Sequence, residues 1–328
     1  MQVIPKSEHG SLDWLRERHR DADGQVLFGA SDCPALMGAS PYTKRTDLFI
    51  NKLTEPVVQE FNPVFHKGNI LEPVLLQEAS AFLQRPIHTP NVIYREGRFS
   101  VSLDGVDNPY QPTVIVEAKT TSRYRIEFPE DLPEEWLWQG WCQQGVVSPH
   151  LNEPFRGLDE PIPVYFVVLD RDQRISCVKM PNNPKAYQTL QVQAEKLGKL
   201  IESGKPAPED LDQFSAEQIA KIYTAEPTSI ELTDDAMELV LELEVARSKK
   251  KEADDREKQA RDALAQLLLQ HENGLYQGQK IISWKQQKGR KSVDVTLMRN
   301  ENPELVAQYE KEGAPFRVMR THKIGETS

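Results

Sequence analysis

The segment "TVIVEAKT", residues 113–120, is the feature that most limits how this 328-residue chain can fold. Its β-branched run is typical of a buried strand, yet the run ends in Glu117 and Lys119. Side chains alternate between the two faces of a strand, so these two share one face, while Val114, Val116 and Ala118 share the other. A buried charge is costly unless it is paired or bound to a metal. The segment therefore predicts a strand that presents charged groups at a protected site.

Asp104 is the second carboxylate expected at this site. It ends the preceding strand at "SLDG", and pairing of the two strands over "VDNPYQP" would bring Asp104 to Glu117. Two convergent carboxylates, with the Ala118 carbonyl between them, suit Mg²⁺, which prefers hard oxygen ligands. Lys119 beside them could stabilise a phosphate or position a water, which favours phosphodiester hydrolysis. The alternative is an ordinary Asp-Gly turn beside a solvent-facing Glu/Lys pair.

The order of helical and strand patterns indicates the fold class. It is helices, then three strands, a helix, two strands and a helix, which predicts a mixed sheet flanked by helices, an α/β or α+β domain. The predicted helices cover residues 9–28, "TKRTDLFINKL", 66–84, "EEWLWQGWCQQGVVS" and a segment ending at Gly204. The predicted strands are "NVIYRE", "FSVSLDGVD" and "TVIVEAKT", followed by the hairpin "PVYFVVLDRDQRISCVKM".

The Pro- and acid-rich stretch "KPAPEDLDQFSAEQ" is typical of a linker and predicts two parts, residues 1–212 and 213–328. In the second part, residues 233–272 predict one long helix or a helical hairpin. Its highly charged middle suits a solvated helix face or, alternatively, a partner-binding coiled coil. "GQKIISWKQQKGRKSVDV" then predicts a basic β-hairpin with "KGRK" at its turn.

Charge is distributed unevenly along the chain. The net charge of −10 argues mildly against nucleic-acid binding, which depends on neutralising phosphates. Residues 280–323, however, hold ten Lys/Arg against five Asp/Glu, a local charge of about +5 beside about −15 elsewhere. This segment could bind a polyanion. The candidate phosphate contacts in it are Lys285, Lys288, Arg290 and Lys291.

The remaining composition bears on the compartment. The three cysteines form no CxxC pair, which disfavours a zinc site or a disulfide framework. No apolar run is long enough for a membrane span, and the first residues lack the apolar core of a signal peptide. We therefore expect a cytoplasmic protein without a membrane partner.

Five blocks of the chain, taken in order, resemble the YqaJ viral recombinase family, the lambda-exonuclease-like nucleases of the PD-(D/E)XK superfamily. The resemblance covers about residues 9–210. It implies a restriction-endonuclease-like core and Mg²⁺-dependent 5′→3′ degradation of one strand at double-stranded DNA ends. The blocks are "GASDCPALMGASPY", "HKGNILEPVLL", "SLDG", "VEAKT" and "WLWQGWCQQGVV".

The same resemblance implies a biological setting. The 3′ single-stranded tails would serve recombination with a single-strand annealing protein. One or two Mg²⁺ ions, replaceable by Mn²⁺, would be the cofactor. The family commonly forms a ring-shaped trimer, so a homo-oligomer is expected. A phage or prophage origin, and hence the cytoplasm of a bacterial host, is also implied.

Residue roles at the metal follow from the resemblance. Asp104 and Glu117, with the Ala118 carbonyl, would bind the metal. Glu72, in "LEP", would complete the acidic cluster at a second metal or through water. The alternative for Glu72 is an acid placed near a helix N-terminus, where the helix dipole favours it.

Further roles concern water and helix packing. The resemblance implies that Lys119 acts on the nucleophilic water and that Gln139 orients water or phosphate. Gln143 lies one turn further on the same helix face and could contact DNA. Where the family often has a second Gln, this chain has Trp141. The tryptophans of this helix suit a core or subunit contact, or alternatively base stacking: Trp136, Trp138 and Trp141.

DNA contacts are also expected near the N-terminus. Ser31 would contact the DNA backbone, although as a helix N-cap it need do nothing more. Arg18, four residues after Trp14, would bind the 5′-phosphate. The stretch between Arg18 and Ser31 is long for the family, so Arg16 or Arg20 could serve instead.

Two other functions remain open at this stage. One is an endonuclease or a single-strand-preferring nuclease of the same fold. The other is a non-catalytic module that uses its basic C-terminal segment to recruit DNA or a partner. The presence of Glu72, Asp104, Glu117 and Lys119 together weighs against the second.

Overall fold

The computed structural model describes residues 1–8, 10–58, 61–148, 161–183, 185–289, 291–310, 313 and 316–321. The chain divides into two compact units, Met1–Thr224 and Ala225–Ser328. This division falls somewhat after the boundary that the sequence predicts at residue 212. None of the described helices is long and apolar enough to cross a membrane.

The first unit alternates helices and strands, as the sequence pattern predicts. Its strands are β1 Gln2–Pro5, β2 Val92–Glu96, β3 Phe99–Val101, β4 Gly105–Val106, β5 Ile115–Thr120, β6 Val164–Leu169 and β7 Ile175–Lys179. Its helices are α1 Leu12–Glu17, α2 Cys33–Leu36, α3 Arg45–Leu53, α4 Pro63–Leu83, α5 Glu134–Val147, α6 Ala186–Glu202 and α7 Ala216–Ile222. The unit is therefore of mixed α/β class.

The strands form two sheets. One is antiparallel, in the order β1-β2-β3. The other, in the order β4-β5-β6-β7, is mixed, because β5 and β6 are parallel and the other neighbours are antiparallel. The prediction of a single strand over "FSVSLDGVD" is wrong. Val101 pairs with Tyr94 in the first sheet, whereas Val106 pairs with Ile115 in the second, so the chain changes sheets between them.

Strand β5 lies between two apolar layers. Val114 and Val116 pack with Leu75, Leu76 and Ala79 of α4 on one side. On the other side, Ile115 belongs to the larger core with residues of α5 and α6. This arrangement confirms the predicted alternation of side chains along "TVIVEAKT". It also explains why the strand is apolar on both faces up to Glu117.

The N-terminal helix predicted over residues 9–28 is wrong in length, because α1 covers only Leu12–Glu17. The Asp21 carboxylate accepts hydrogen bonds from the backbone N–H groups of Asp23 and Gln25, which stabilises a turn. Gly24 at φ +82° completes this turn, and Arg20 then pairs with Val26. A local side-chain contact thus replaces the helical hydrogen bonds.

The stretch predicted as a linker is folded. Residues Pro208–Gln213 form a 3₁₀ helix, and α7 follows directly. The Phe214 and Phe49 ring centroids are 5.5 Å apart, and the Gln218 amide donates to the Asp47 carboxylate at 2.8 Å. These contacts attach the stretch to α3, which its Pro and acidic composition did not reveal.

The second unit contains one uninterrupted helix where the sequence allowed a helical hairpin. It comprises α8 Asp234–Leu268, the hairpin β8 Asn273–Tyr276 and β9 Gln279–Ser283, and the short helices α9 Val295–Glu301 and α10 Pro303–Tyr309. The turn of this hairpin lies at Gln277 and Gly278, both at positive φ. The turn predicted at "KGRK" includes Arg290, which lies outside the described residues. Two residues at positive φ are what a tight hairpin turn requires, and Gly278 adopts that conformation at no steric cost.

The approach of α5 to α6 yields a stability prediction. Replacing a helical glycine by alanine normally stabilises a protein by about 0.5–1 kcal/mol. A Cβ at Gly145 would lie 2.0 Å from the Tyr187 ring. Gly145→Ala should therefore destabilise the fold by about 1–3 kcal/mol. Gly68→Ala in α4, where a Cβ meets nothing within 4 Å, should stabilise it. Urea denaturation measures the free energy of unfolding of each variant. Equal changes in the two variants would contradict the close approach of Gly145 to Tyr187.

His19 yields a prediction on pH. Burial, together with the nearby Lys52 and Arg20 cations, lowers the pKa of His19 to about 4, against the opposing effects of the Glu55 and Asp32 carboxylates. The fold therefore favours the neutral imidazole. Its contribution is complete above the unfolded pKa of about 6.5 and is lost as the pH falls towards 4. Lowering the pH from 7 to 5 should therefore reduce the free energy of unfolding by about 1–2 kcal/mol.

His19→Gln isolates this effect, because other titrating groups are shared with the unsubstituted chain. The free energy of unfolding of the variant should depend less steeply on pH between 7 and 5. Parallel pH profiles for the two proteins would show that His19 does not titrate with folding.

Candidate active site

The β4–β5 hairpin brings Asp104 next to Glu117. Gly105 pairs with Val116, so Asp104, which precedes Gly105, lies opposite Glu117 at the edge of the paired segment. The Asp104 carboxylate accepts a hydrogen bond of 2.9 Å from the backbone N–H of Ala118. Antiparallel pairing over a short connection therefore places the two carboxylates where the sequence predicted them.

Glu117 is the most buried carboxylate of the site, at 3% exposure. Its Oε1 accepts hydrogen bonds from Lys119 Nζ at 2.7 Å and from Gln139 Nε2 at 2.5 Å. Its Oε2 accepts one from Gln143 Nε2 at 2.5 Å. Gln139 and Gln143 are four residues apart on α5, so a single helix face supplies both amides. These donors stabilise a buried negative charge.

Lys119 is held on the same face of β5. Its ammonium bonds to Glu117 and donates to Gln139 Oε1 at 2.8 Å, and its side chain is 21% exposed. The Gln139 amide therefore bridges the ion pair, because it donates to the Glu117 carboxylate and accepts from the Lys119 ammonium. This three-way contact fixes both charges relative to α5.

The acidic groups of the site repel one another. Burial raises the pKa of the Asp104 carboxyl well above its usual range, and the Glu117 and Glu72 carboxylates raise it further. Burial and the Glu117 charge also raise the pKa of Glu72, against the opposing effects of Lys6 and Lys119. Glu72, half-buried on α4, is thus electrostatically coupled to the other two carboxylates.

The residues present fit a divalent cation. A hard cation neutralises converging carboxylates, and the Glu117 charge raises the pKa of both Asp104 and Glu72. In addition, Gln143 Oε1 is buried with no hydrogen-bond partner, although the amide nitrogen is bonded. In the part of the chain that the structure describes, no three His, Cys, Asp or Glu side chains form a metal-binding group by themselves. The predicted ligand set contains two carboxylates and the Ala118 backbone carbonyl, with Glu72 at a second metal or acting through water.

Arg18 is the N-terminal arginine that lies near the carboxylates. Burial lowers the pKa of Arg18, and the Asp32, Glu117 and Asp104 charges oppose that shift. Its guanidinium lies 4.4 Å from the centroid of the Trp14 ring, and its Nη2 donates to Ser31 Oγ at 3.3 Å. The structure thus brings together two residues that the sequence proposed for DNA binding.

The two alternative arginines point elsewhere. Arg16 is exposed and pairs with Asp13, whereas Arg20 donates to the carbonyls of Gly24 and Lys52. Arg18 Nε, by contrast, is buried and has no hydrogen-bond partner. Arg18 is therefore the member of this group with unused donor capacity close to the acidic cluster.

Lys6 is a site residue that the sequence analysis missed. It follows β1, and its backbone N–H donates to the Asn91 carbonyl at 3.2 Å, which extends the pairing with β2. Burial lowers the pKa of Lys6, while the Glu72 and Asp104 carboxylates oppose that shift, so Lys6 is electrostatically coupled to the acidic cluster. No local pattern marks this lysine, because its position depends on pairing with a strand about 90 residues away.

The three tryptophans of α5 pack against the core. Trp136 stacks on Phe166 with ring centroids 5.9 Å apart, and Trp138 meets Trp141 edge-on at 5.2 Å. Trp141 Nε1 also donates to the Pro181 carbonyl. These contacts agree with the core interpretation of the tryptophans, which are partly buried against the main core.

The predicted basic contacts belong to the second unit. Lys285, Lys288 and Lys291 are exposed residues of Ala225–Ser328, and Arg290 lies outside the described residues. Their role in binding DNA stays a prediction.

No protein-family model matches the chain, and no curated protein matches it. Solved structures similar to it include an alkaline exonuclease from Laribacter hongkongensis, at 15% identity and a TM-score of 0.43, covering 59% of this chain and 93% of that one. The same exonuclease in complex with dAMP gives 13% and 0.42, with the same coverage. A phage-related exonuclease from Haemophilus somnus 129PT gives 12% and 0.39, covering 55% and 95%.

Proposed function

We propose that this protein is a metal-dependent deoxyribonuclease. The observation that carries the proposal is the buried Glu117, bonded to Lys119, Gln139 and Gln143 and facing Asp104 across a two-strand ladder. A carboxylate pair with an adjacent ammonium is a combination that suits hydrolysis of a phosphodiester. A purely structural ion pair would not need two further carboxylates, Asp104 and Glu72, whose pKa values the Glu117 charge raises.

Mg²⁺ is the proposed cofactor, with Mn²⁺ as a substitute, and one or two ions are bound. Asp104, Glu117 and the Ala118 carbonyl would hold the metal, with Glu72 at a second ion or through water. When bound, the metal would polarise the scissile phosphate and lower the pKa of a bound water.

The chain's own residues would do the rest. Lys119, fixed by Glu117 and Gln139, would offer its ammonium to the attacking water or to the phosphate oxygens. Gln139 and Gln143 would hold the Glu117 carboxylate in position by donating to both its oxygens. The sheet and α5 fix these groups in advance, so little reorganisation is needed when substrate arrives.

The proposed substrate is an end of double-stranded DNA. Arg18, with Ser31 beside it, offers a guanidinium that could bind a terminal 5′-phosphate close to the acidic cluster. Together with the family resemblance of the motifs, this supports 5′→3′ exonuclease action that leaves 3′ tails for recombination.

The assembly and the partners are part of the same proposal. We expect a homo-oligomer, a trimer by resemblance, and a single-strand annealing protein as the partner that receives the 3′ tails. The second unit, with Lys285, Lys288 and Lys291 exposed, would add phosphate contacts. Phage or prophage origin and a bacterial cytoplasmic location follow from the resemblance alone.

Replacing Glu117 tests the metal site. Glu117→Gln keeps the volume nearly constant but removes the ligand charge, and should lower the cleavage rate by about 10³-fold or more. The assay is digestion of an end-labelled linear duplex with Mg²⁺ and with EDTA, and calorimetric titration reports metal binding separately. The exposed Glu130 provides the control, since Glu130→Gln should change neither quantity.

The same assay separates the alternative functions. Cleavage of a closed circle would favour the endonuclease, and preference for unpaired strands the single-strand nuclease. DNA binding without Mg²⁺-dependent cleavage would favour the non-catalytic module. A folded Glu117→Gln variant that cleaves at the unsubstituted rate would show that the metal site is wrongly assigned.

The role of Lys119 in cleavage can be tested separately from metal binding. Lys119→Ala should slow cleavage strongly but leave metal affinity largely intact, because the ammonium acts on water or phosphate and is not a ligand. Titration with metal and single-turnover cleavage measure the two effects. Lys179→Ala, on the edge strand β7, is the matched control. Parallel loss of metal affinity and activity in Lys119→Ala would contradict the proposed role.

A further inference from the structure

An exposed tyrosine–arginine–tyrosine stack lies beyond the end of β5. The guanidinium carbon of Arg123 is 5.7 Å from the centroid of the Tyr42 ring and 5.4 Å from that of the Tyr124 ring. Arg123 Nη1 also donates to the Tyr42 hydroxyl at 3.0 Å. Both Arg123 and Tyr42 are exposed, the latter at 75%. Three side chains from two distant segments thus form one aromatic and cationic surface.

This stack is joined to the two elements that carry the candidate active site. Arg123 is four residues after Lys119, in the loop that continues β5. The Tyr124 hydroxyl donates to the Glu135 carboxylate at 3.1 Å, and Glu135 lies one turn before Gln139 on α5. Because Lys119 and Gln139 contact each other, the stack lies next to the site on the side where β5 ends and α5 begins.

Two features suggest that the stack does more than brace loops. Among the described residues, no carboxylate lies within ion-pairing distance of Arg123, whereas Arg125 in the same loop contacts Glu127 at 2.7 Å and Asp172 at 3.9 Å. The Tyr42 ring, moreover, is largely open to solvent. The surface therefore presents a cation without a counter-charge beside an open aromatic face.

We propose that Tyr42 and Arg123 bind the DNA strand next to the scissile phosphate, with an unpaired or terminal base on Tyr42 and a phosphate on Arg123. The inference rests on the proposed nuclease function and adds the residues that hold the substrate outside the metal site. A nucleotide combines a flat π-face with a negative charge, and these are the two groups that an open aromatic ring and an unpaired guanidinium recognise. Tyr124 and Glu135 position the stack.

Tyr42 is tested by binding of DNA to the full-length protein in EDTA, so that no cleavage occurs. The probe is a duplex with a short unpaired end that carries 2-aminopurine, whose fluorescence reports stacking. Tyr42→Ala should weaken binding by about 5- to 150-fold, the range for one lost base–aromatic contact, and should remove the fluorescence change. Tyr110→Ala is the matched control, since Tyr110 is 70% exposed in the connection before β5, at the strand's other end.

Tyr42→Phe distinguishes stacking from bracing. This variant loses the hydroxyl that accepts the Arg123 hydrogen bond but keeps the ring. Binding and the fluorescence change should be retained. If Tyr42→Phe behaves like Tyr42→Ala, the residue only braces the loops and the inference is overturned.

Arg123 is tested by the salt dependence of binding. Arg123→Gln should reduce the slope of log K against log[salt] by about 0.7–0.9, as expected for one lost phosphate contact. Arg125→Gln, whose charge is already paired, should leave the slope unchanged. Equal slopes for Arg123→Gln and the unsubstituted protein would overturn the phosphate contact.

The outcomes separate this inference from the proposed function. If the unsubstituted protein neither cleaves DNA with Mg²⁺ nor binds it, the nuclease proposal fails. If it cleaves, but Tyr42→Ala binds as tightly as Tyr110→Ala, only the role of the stack is overturned.

Discussion

The burial of the Glu117 charge is the constraint on which the rest of the first unit depends. A carboxylate that is 3% exposed must be stabilised by hydrogen bonds and by an opposite charge, since the protein interior solvates it poorly. Strand β5 supplies Lys119, and α5 supplies Gln139 and Gln143 from one face. Helix α5 must therefore lie directly over β5. Gly145 permits the close packing of α5 against Tyr187, which fixes the helix in that position.

The opposite face of the same strand meets a different requirement. Val114 and Val116 are packed against α4, and this contact carries Glu72 towards the acidic cluster. Tight apolar packing on one side and a hydrogen-bonded charge on the other leave β5 little freedom to shift. A rigid strand between two layers is a suitable support for a metal site, because metal ligands must be held within a fraction of an ångström.

Local physical rules account for the parts of the fold that the sequence predicted. Alternation along a strand placed Glu117 and Lys119 on one face, and hairpin pairing placed Asp104 beside them. These rules failed where contacts between residues distant in sequence determined the local structure. The stretch around Phe214 has the composition of a linker, yet it packs on Phe49. The hairpin turn at Gln277 and Gly278 was not located by the sequence analysis, since Gln277 is not a residue that usually marks positive φ.

The strand, its two charged residues and the nearby Asp104 could be predicted from the amino-acid sequence, because they depend on backbone periodicity and short-range pairing. The cations that approach the cluster could not be predicted in this way. Arg18 and Lys6 reach it from separate N-terminal segments, and Arg123 joins Tyr42 across about 80 residues of chain. Such contacts follow from how sheets and helices pack as a whole, and no local pattern of residues records that packing.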